Sequence, residues 1–145
     1  MPEVIGIDHI FITVSNIERS KIFYDSVMET LGFRNNLITI NNEEHVQYYN
    51  KHFGYVLRPA HVTEKHNAYA PSLHHLCLRV ESENDIDEIA KMIKNKGIEV
   101  TEPKFYKEYA PDYYAIFLKD PDDVELEITN YRKERKQRYE NWEMS

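Results

Sequence analysis

A chain of 145 residues, 41% apolar and 12% aromatic, has the material for one packed domain or two small halves, and its four glycines and six prolines exclude collagen-like and low-complexity classes. A net charge of −7 disfavours a broad nucleic-acid surface. The single cysteine, Cys77, excludes an intrachain disulfide and a cysteine-rich zinc knuckle. With no signal-peptide pattern and no run near the roughly 18 apolar residues of a membrane helix, the chain is expected to be cytoplasmic, with no membrane or nucleic-acid partner.

The chain repeats itself. Residues 8–14 read Asp-His-Ile-Phe-Ile-Thr-Val and residues 74–80 read His-His-Leu-Cys-Leu-Arg-Val, each with a histidine second and then alternating apolar residues. A capping signal follows each strand, Ser15-x-x-Glu18 and Ser82-x-x-Asp85. Helical spacing then runs through Ile17, Phe23, Tyr24, Val27, Met28 and Leu31, and through Ile86, Ile89, Ala90 and Ile93. Each helix is expected to stop at a glycine, Gly32 or Gly97, which lie 23 and 22 residues after His9 and His75.

Three strands are predicted after each glycine. In the first half these are Phe33–Ile40, His45–Asn50 and Gly54–Pro59, with a turn at Asn41-Asn42-Glu43-Glu44. In the second they are Ile98–Pro103, Tyr113–Leu118 and Val124–Asn130, with a turn at Asp120-Pro121-Asp122-Asp123. The polar stretch His61–Ser72 reads as a linker. The expectation is one α+β domain over residues 1–130, built of two β-α-β-β-β halves (about 5–60 and 73–130). A charged helical tail follows over 131–145, with Tyr139 and Trp142 docking on the body or on a partner subunit.

Strand alternation sorts the side chains. Ile10, Ile12 and Val14, and likewise Leu76, Leu78 and Val80, form aliphatic faces suited to packing under helices. His9, Phe11 and Thr13, and His75, Cys77 and Arg79, form the opposite, mixed faces. In the last strand Glu125, Glu127 and Thr129 oppose Val124, Leu126 and Ile128. A glutamate there either faces solvent or meets the two histidines, and two imidazoles with one carboxylate make a facial triad that leaves metal positions open.

These features resemble the vicinal oxygen chelate superfamily, which includes glyoxalase I, extradiol dioxygenases, fosfomycin-resistance proteins and metal-free bleomycin-binding proteins. The resemblance covers about residues 5–130. It rests on Asp8-His9-Ile10, the helix ending Leu31-Gly32-Phe33, His74-His75-Leu76, and Asp120-Pro121-Asp122-Asp123 before Leu126-Glu127-Ile128. It implies a cupped, open mixed sheet with helices on its outer face, a homodimer, and one divalent ion (iron, manganese, nickel or zinc) held by His9, His75 and Glu127. The metal would chelate neighbouring oxygens of a small-molecule substrate. Glyoxalase I carries a fourth ligand, Glu or Gln, on the strand corresponding to Gly54–Pro59, where this chain has none. The dioxygenases and fosfomycin enzymes place a tyrosine ten residues before the ligand glutamate, where this chain has Phe117, so Tyr113 or Tyr114 becomes the candidate catalytic hydroxyl.

Phe11, Thr13, Tyr55, Arg58, Cys77, Arg79 and Phe117 are the candidate substrate contacts. Arg58 and Arg79 suit either an anionic substrate or an ordinary ion pair. Tyr48, Tyr55, Tyr113 and Phe117 line an aromatic pocket or fill the core. His74 is expected on the helix side, Asp8 at an edge and Glu125 at a rim. His45, His52, His61 and His66 are expected at the surface. The functional expectation is a metal-dependent lyase, isomerase or ring-cleaving dioxygenase. The alternative is a metal-free protein that binds or sequesters a small molecule.

Overall fold

The computed structural model describes residues 1–144. Its elements follow the repeat: β1 (His9–Val14), α1 (Ile17–Thr30), β2 (Arg34–Ile40), β3 (Glu43–Tyr49), β4 (Gly54–Pro59), β5 (His75–Val80), α2 (Glu83–Asn95), β6 (Lys104–Phe105), β7 (Tyr114–Lys119), β8 (Glu125–Asn130) and α3 (Lys133–Glu140). Two compact units result. Unit 1 is residues 1–66 with the turn Asp120–Asp123, and unit 2 is residues 67–119 with the chain from Val124 onward. No helix among the described residues is long and apolar enough to cross a membrane.

Unit 1 is an open four-stranded sheet of order β1-β4-β3-β2, with β1 and β4 parallel and the other pairs antiparallel. The register aligns Ile10 with Tyr55, Ile12 with Leu57 and Tyr48 with Tyr55, so one face is built of these residues. On that face Tyr24, Val27 and Met28 of α1 are buried with Val46, Tyr48, Tyr55 and Leu57. Each fully buried aliphatic or aromatic side chain contributes roughly 1.5–3 kcal/mol. The Tyr24 hydroxyl donates to the buried carboxylate of Asp120 (2.7 Å), and Tyr55 donates to Tyr24 (3.0 Å), so the polar tips of this core are satisfied.

The Asn41-Asn42 turn carries positive φ at both residues (50° and 64°), which a two-residue hairpin loop requires and which asparagine tolerates. Glu43, expected in that turn, already belongs to β3 and pairs with Ile40. The helix start also differs from expectation. Asn16, not Ser15, caps α1, accepting from the Arg19 amide (3.0 Å), because the Ser15 amide and hydroxyl are both taken by the Asp122 carboxylate.

Unit 2 repeats the design as β5-β8-β7-β6, with β5 and β8 parallel. Ile86, Ile89, Ala90 and Ile93 of α2 pack on Ile116, Leu118, Leu126 and Ile128. The expected capping box at Ser82 and Asp85 is present. Both helices end in the expected glycines, Gly32 at φ +83° and Gly97 at φ +79°. In each case the following residue's amide reaches back five residues, Phe33 to Met28 (2.9 Å) and Ile98 to Ile93 (3.3 Å), as a left-handed helix stop permits.

One segment of unit 2 departs from expectation. Only Lys104–Phe105 forms a strand where Ile98–Pro103 was predicted. Within the predicted segment Thr101 alone holds β7, its amide on the Phe117 carbonyl (3.0 Å) and its hydroxyl taking the Phe117 amide (2.9 Å); Pro103 has no N–H to extend the ladder. The tail does form a helix, and Tyr139 and Trp142 are 80% and 62% exposed. Its first turn is anchored, with the Lys133 amide on Asp112 (3.0 Å) and Lys136 on Glu81 (2.9 Å).

Candidate functional site

The helix-free face of unit 2 is set by register. Across the sheet Cys77 pairs with Glu127 and Glu127 with Phe117; His75 pairs with Glu125, and Arg79 with Thr129. Above this face lies a cavity of about 550 Å³, lined by His74, His75, Tyr109, Tyr113, Phe117 and Glu127 with a rim of charged residues.

Glu127 is the centre of this arrangement. Its side chain is 4% exposed, and its two oxygens have different partners. Oε1 faces His75 Nε2 at 3.2 Å, and Oε2 accepts the Tyr113 hydroxyl at 2.5 Å. A buried carboxylate is expensive unless bonded, and these contacts hold it in one orientation. His75 is fixed at its other nitrogen, because Nδ1 lies 2.8 Å from His74 Nδ1. His74 in turn packs edge-on against Tyr69, with ring centres 5.4 Å apart.

Tyr113 reaches Glu127 from the loop 106–113, closed by the Tyr106 amide on the Tyr113 carbonyl (2.7 Å). The aromatic wall continues through Tyr109, 5.1 Å from the Tyr113 ring, and through Tyr106, 5.3 Å from Phe117. The Arg132 guanidinium stacks over Tyr113 at 4.3 Å and is held by the Asn130 carbonyl at 3.1 Å. Desolvation, then the hydrogen bond to Glu127, push the Tyr113 phenol well above its ordinary range, so it keeps its proton and donates the hydrogen bond to Glu127. Cys77 opens to solvent on one side, yet partial desolvation and the nearby Glu127 charge push its thiol up to about 12. That shift favours the neutral thiol over a thiolate.

Unit 1 presents the matching face. His9 stands on β1 with Nδ1 2.7 Å from Asp8 Oδ2. Phe11 packs edge-on with His9 and with His45, at 5.3 and 6.2 Å between ring centres. A depression of about 350 Å³ is lined by Asp8, His9, Phe11, Gln47 and Val56. Thr13 lies on the same face, paired with Arg58. Arg58 lies 3.8 Å from Glu43, whose carboxylate also meets His61 at 2.8 Å, so the ion pair that was one of its two expected roles is present. Arg79 is likewise engaged, 3.9 Å over the Tyr131 ring.

Four placements correct the sequence reading. Tyr55 lies on the helix face of β4, fully buried against α1, because its parity matches Leu57 and not Arg58. Tyr114 faces α2, its hydroxyl donating to Asp87 (2.5 Å), so its parity removes it from Glu127. His74 lines the cavity instead of the helix side, because β5 begins at His75 and alternation does not extend to the residue before it. His45 is 2% exposed, its Nδ1 on the Glu43 carbonyl (3.0 Å), whereas His52 and His61 are exposed and His66 is half-buried.

Sequence reasoning missed Arg132, read as part of a solvated tail. The available signal was its position two residues beyond β8, where the chain leaves the sheet beside the Glu127 face. The donor chemistry fits a divalent cation. Imidazole nitrogen and carboxylate oxygen converge at His75 and Glu127, and His74, His75 and Glu125 form a second grouping whose donor atoms lie within 4.8 Å of one another.

Comparison with known proteins gives the family. Residues 6–128 match the Glyoxalase/Bleomycin resistance protein/Dioxygenase superfamily, and the chain belongs to it. Among solved structures, a glyoxylase/bleomycin resistance protein/dioxygenase domain from Frankia sp. EAN1pec is similar at 20% identity, over 90% of this chain and 100% of that one, with a TM-score of 0.73. The fosfomycin resistance protein FosX of Listeria monocytogenes is similar at 15% identity, over 92% and 98%, with a TM-score of 0.65. A lactoylglutathione lyase of Agrobacterium tumefaciens is similar at 14% identity, over 90% and 96%, with a TM-score of 0.66. No curated protein matches the chain by sequence.

Proposed function

We propose that the protein is a metal-dependent enzyme acting on a small molecule with two neighbouring oxygens, in a lyase, isomerase or ring-cleaving dioxygenase reaction, and that it works as a homodimer. His9, His75 and Glu127 are the proposed ligands of one divalent ion. The observation that carries this reading is Glu127, a buried carboxylate held between the Tyr113 hydroxyl and a histidine nitrogen at the floor of a cavity. Such an ion supplies Lewis acidity, stabilising negative charge that develops on substrate oxygens.

The chain's own residues do the rest. Tyr113 orients Glu127 by donating its one hydroxyl proton to Oε2, and its oxygen remains open to accept from a substrate hydroxyl. Phe117 and Tyr109 give a flat apolar wall that takes a planar or unsaturated substrate and excludes water from one side. Arg132, stacked over Tyr113, offsets part of the negative charge of the carboxylates.

A second reading rests on a different observation. The cavity is lined by four glutamates against two arginines, together with tyrosine rings, a combination that suits stacking and charge pairing with a cationic aromatic ligand in a metal-free binding protein. Manganese or zinc titration of metal-stripped protein separates the two. The enzyme reading predicts one site per chain, weakened in each of His9→Ala, His75→Ala and Glu127→Gln. Absence of uptake, or affinity unchanged in all three variants, overturns it.

A further inference from the structure

Each of the two proposed ligand histidines is touched at Nδ1 by the side chain of the residue immediately before it: Asp8 Oδ2 at 2.7 Å from His9, and His74 Nδ1 at 2.8 Å from His75. The arrangement is repeat-matched although the two preceding residues differ in chemistry. Both histidines open their strands, and the side chain of the residue before each turns onto the histidine's own face, Asp8 lining the depression with His9 and His74 the cavity with His75. Asp8 is anchored there through its carbonyl, which accepts the Gly54 amide at 2.9 Å.

We infer that Asp8 and His74 are positioning residues that decide which ring nitrogen His9 and His75 present to a cation. This rests on the proposed metal-binding role of the two histidines. A carboxylate only accepts, so His9 carries its proton on Nδ1 and leaves the Nε2 lone pair outward. Asp8 is open to water, but an exposed contact suffices, because the choice is between two neutral forms of one ring.

The second pair works differently. One proton lies between the two Nδ1 atoms, and a lone pair on His75 Nε2 would face the negative Glu127 oxygen at an ion-pair distance of 3.2 Å. Without a cation, His75 therefore holds its proton on Nε2 for Glu127, and His74 donates its own Nδ1 proton to His75. To offer Nε2, His75 must carry its proton on Nδ1, and His74 must accept there with its own proton on Nε2. Each ring keeps one proton in both arrangements, so the exchange is balanced without gain or loss of charge. His9 is preset by an anion, whereas His75 is switchable through a second imidazole.

The test is nitrogen-15 NMR of the histidine rings in full-length protein, with the rings neutral, first metal-free and then with zinc. In metal-free protein the expected tautomers are Nδ1–H for His9 and Nε2–H for His75. Asp8→Ala is expected to move His9 toward Nε2–H, and Asp8→Glu, which keeps a carboxylate that only accepts, to restore Nδ1–H. With zinc, His75 is expected to change to Nδ1–H; His74→Ala should lower zinc affinity about 10- to 100-fold and His74→Asn recover most of it. A His9 tautomer indifferent to Asp8→Ala overturns the inference, as does a His74 ring nitrogen that itself shows zinc coordination. Zinc that moves neither His9 nor His75 in the wild type overturns the metal reading instead, and the metal-free tautomers still decide the role of Asp8.

Discussion

Removing one hydroxyl tests how Glu127 is held. Tyr113→Phe keeps the ring, and with it the stacking under Arg132 (4.3 Å) and the contact with Tyr109 (5.1 Å), and deletes only the donor 2.5 Å from Glu127 Oε2. A hydrogen bond to a charged group contributes about 1.5–3 kcal/mol, and because Tyr113 is half-buried, water replaces part of it, leaving about 1.5–2 kcal/mol. For a chain of this size the melting temperature should fall by roughly 3–8 °C. The same hydroxyl sets the orientation of a proposed metal ligand, so manganese affinity should drop about 10- to 100-fold. Thermal denaturation and manganese titration of metal-stripped protein read the two effects. A variant that melts within about 1 °C of the wild type and binds manganese equally well would refute the claim that Tyr113 positions Glu127.

Two further outcomes follow from the fold. Ser82→Ala removes the hydroxyl that accepts the Asp85 amide (3.2 Å) and should lower stability by about 1 kcal/mol in urea denaturation, whereas an unchanged midpoint would show that the cap is idle. Burial, their first cause in each case, raises Tyr24, Tyr48, Tyr55 and Tyr113 above the ordinary phenol value of 10. The unfolded chain therefore loses these protons first, binds fewer than the folded chain above about pH 10, and stability falls as pH rises through that point. Absorbance titration of tyrosinate should lag in native protein behind protein in denaturant; coincident curves would contradict the buried tyrosine core.

Much of this was legible because the repeat carries its own check. The capping box at Ser82, the stops at Gly32 and Gly97 and the alternation of β1, β5 and β8 are local rules, and they hold where no distant residue competes. The misreadings come from long-range competition. Ser15 is a good cap by pattern, but Asp122, 107 residues away, takes its hydroxyl. Tyr55 and Tyr114 are aromatic residues on promising strands, and one residue of parity puts them under helices. His74 escaped the alternation rule by lying one residue before its strand. Arg132 over Tyr113 was signalled only by its place two residues beyond β8, not by its residue type in a charged tail.

The central claim is that His75 and Glu127 serve a metal. Elemental analysis of untagged protein, purified without chelator beside Glu127→Gln, tests it most directly. The account predicts about one iron, manganese, nickel or zinc per wild-type chain and a clear loss in the variant, which preserves the shape of the side chain while removing its charge. Wild-type protein that carries no metal and takes none up on reconstitution, or a variant that retains the full complement, would contradict it.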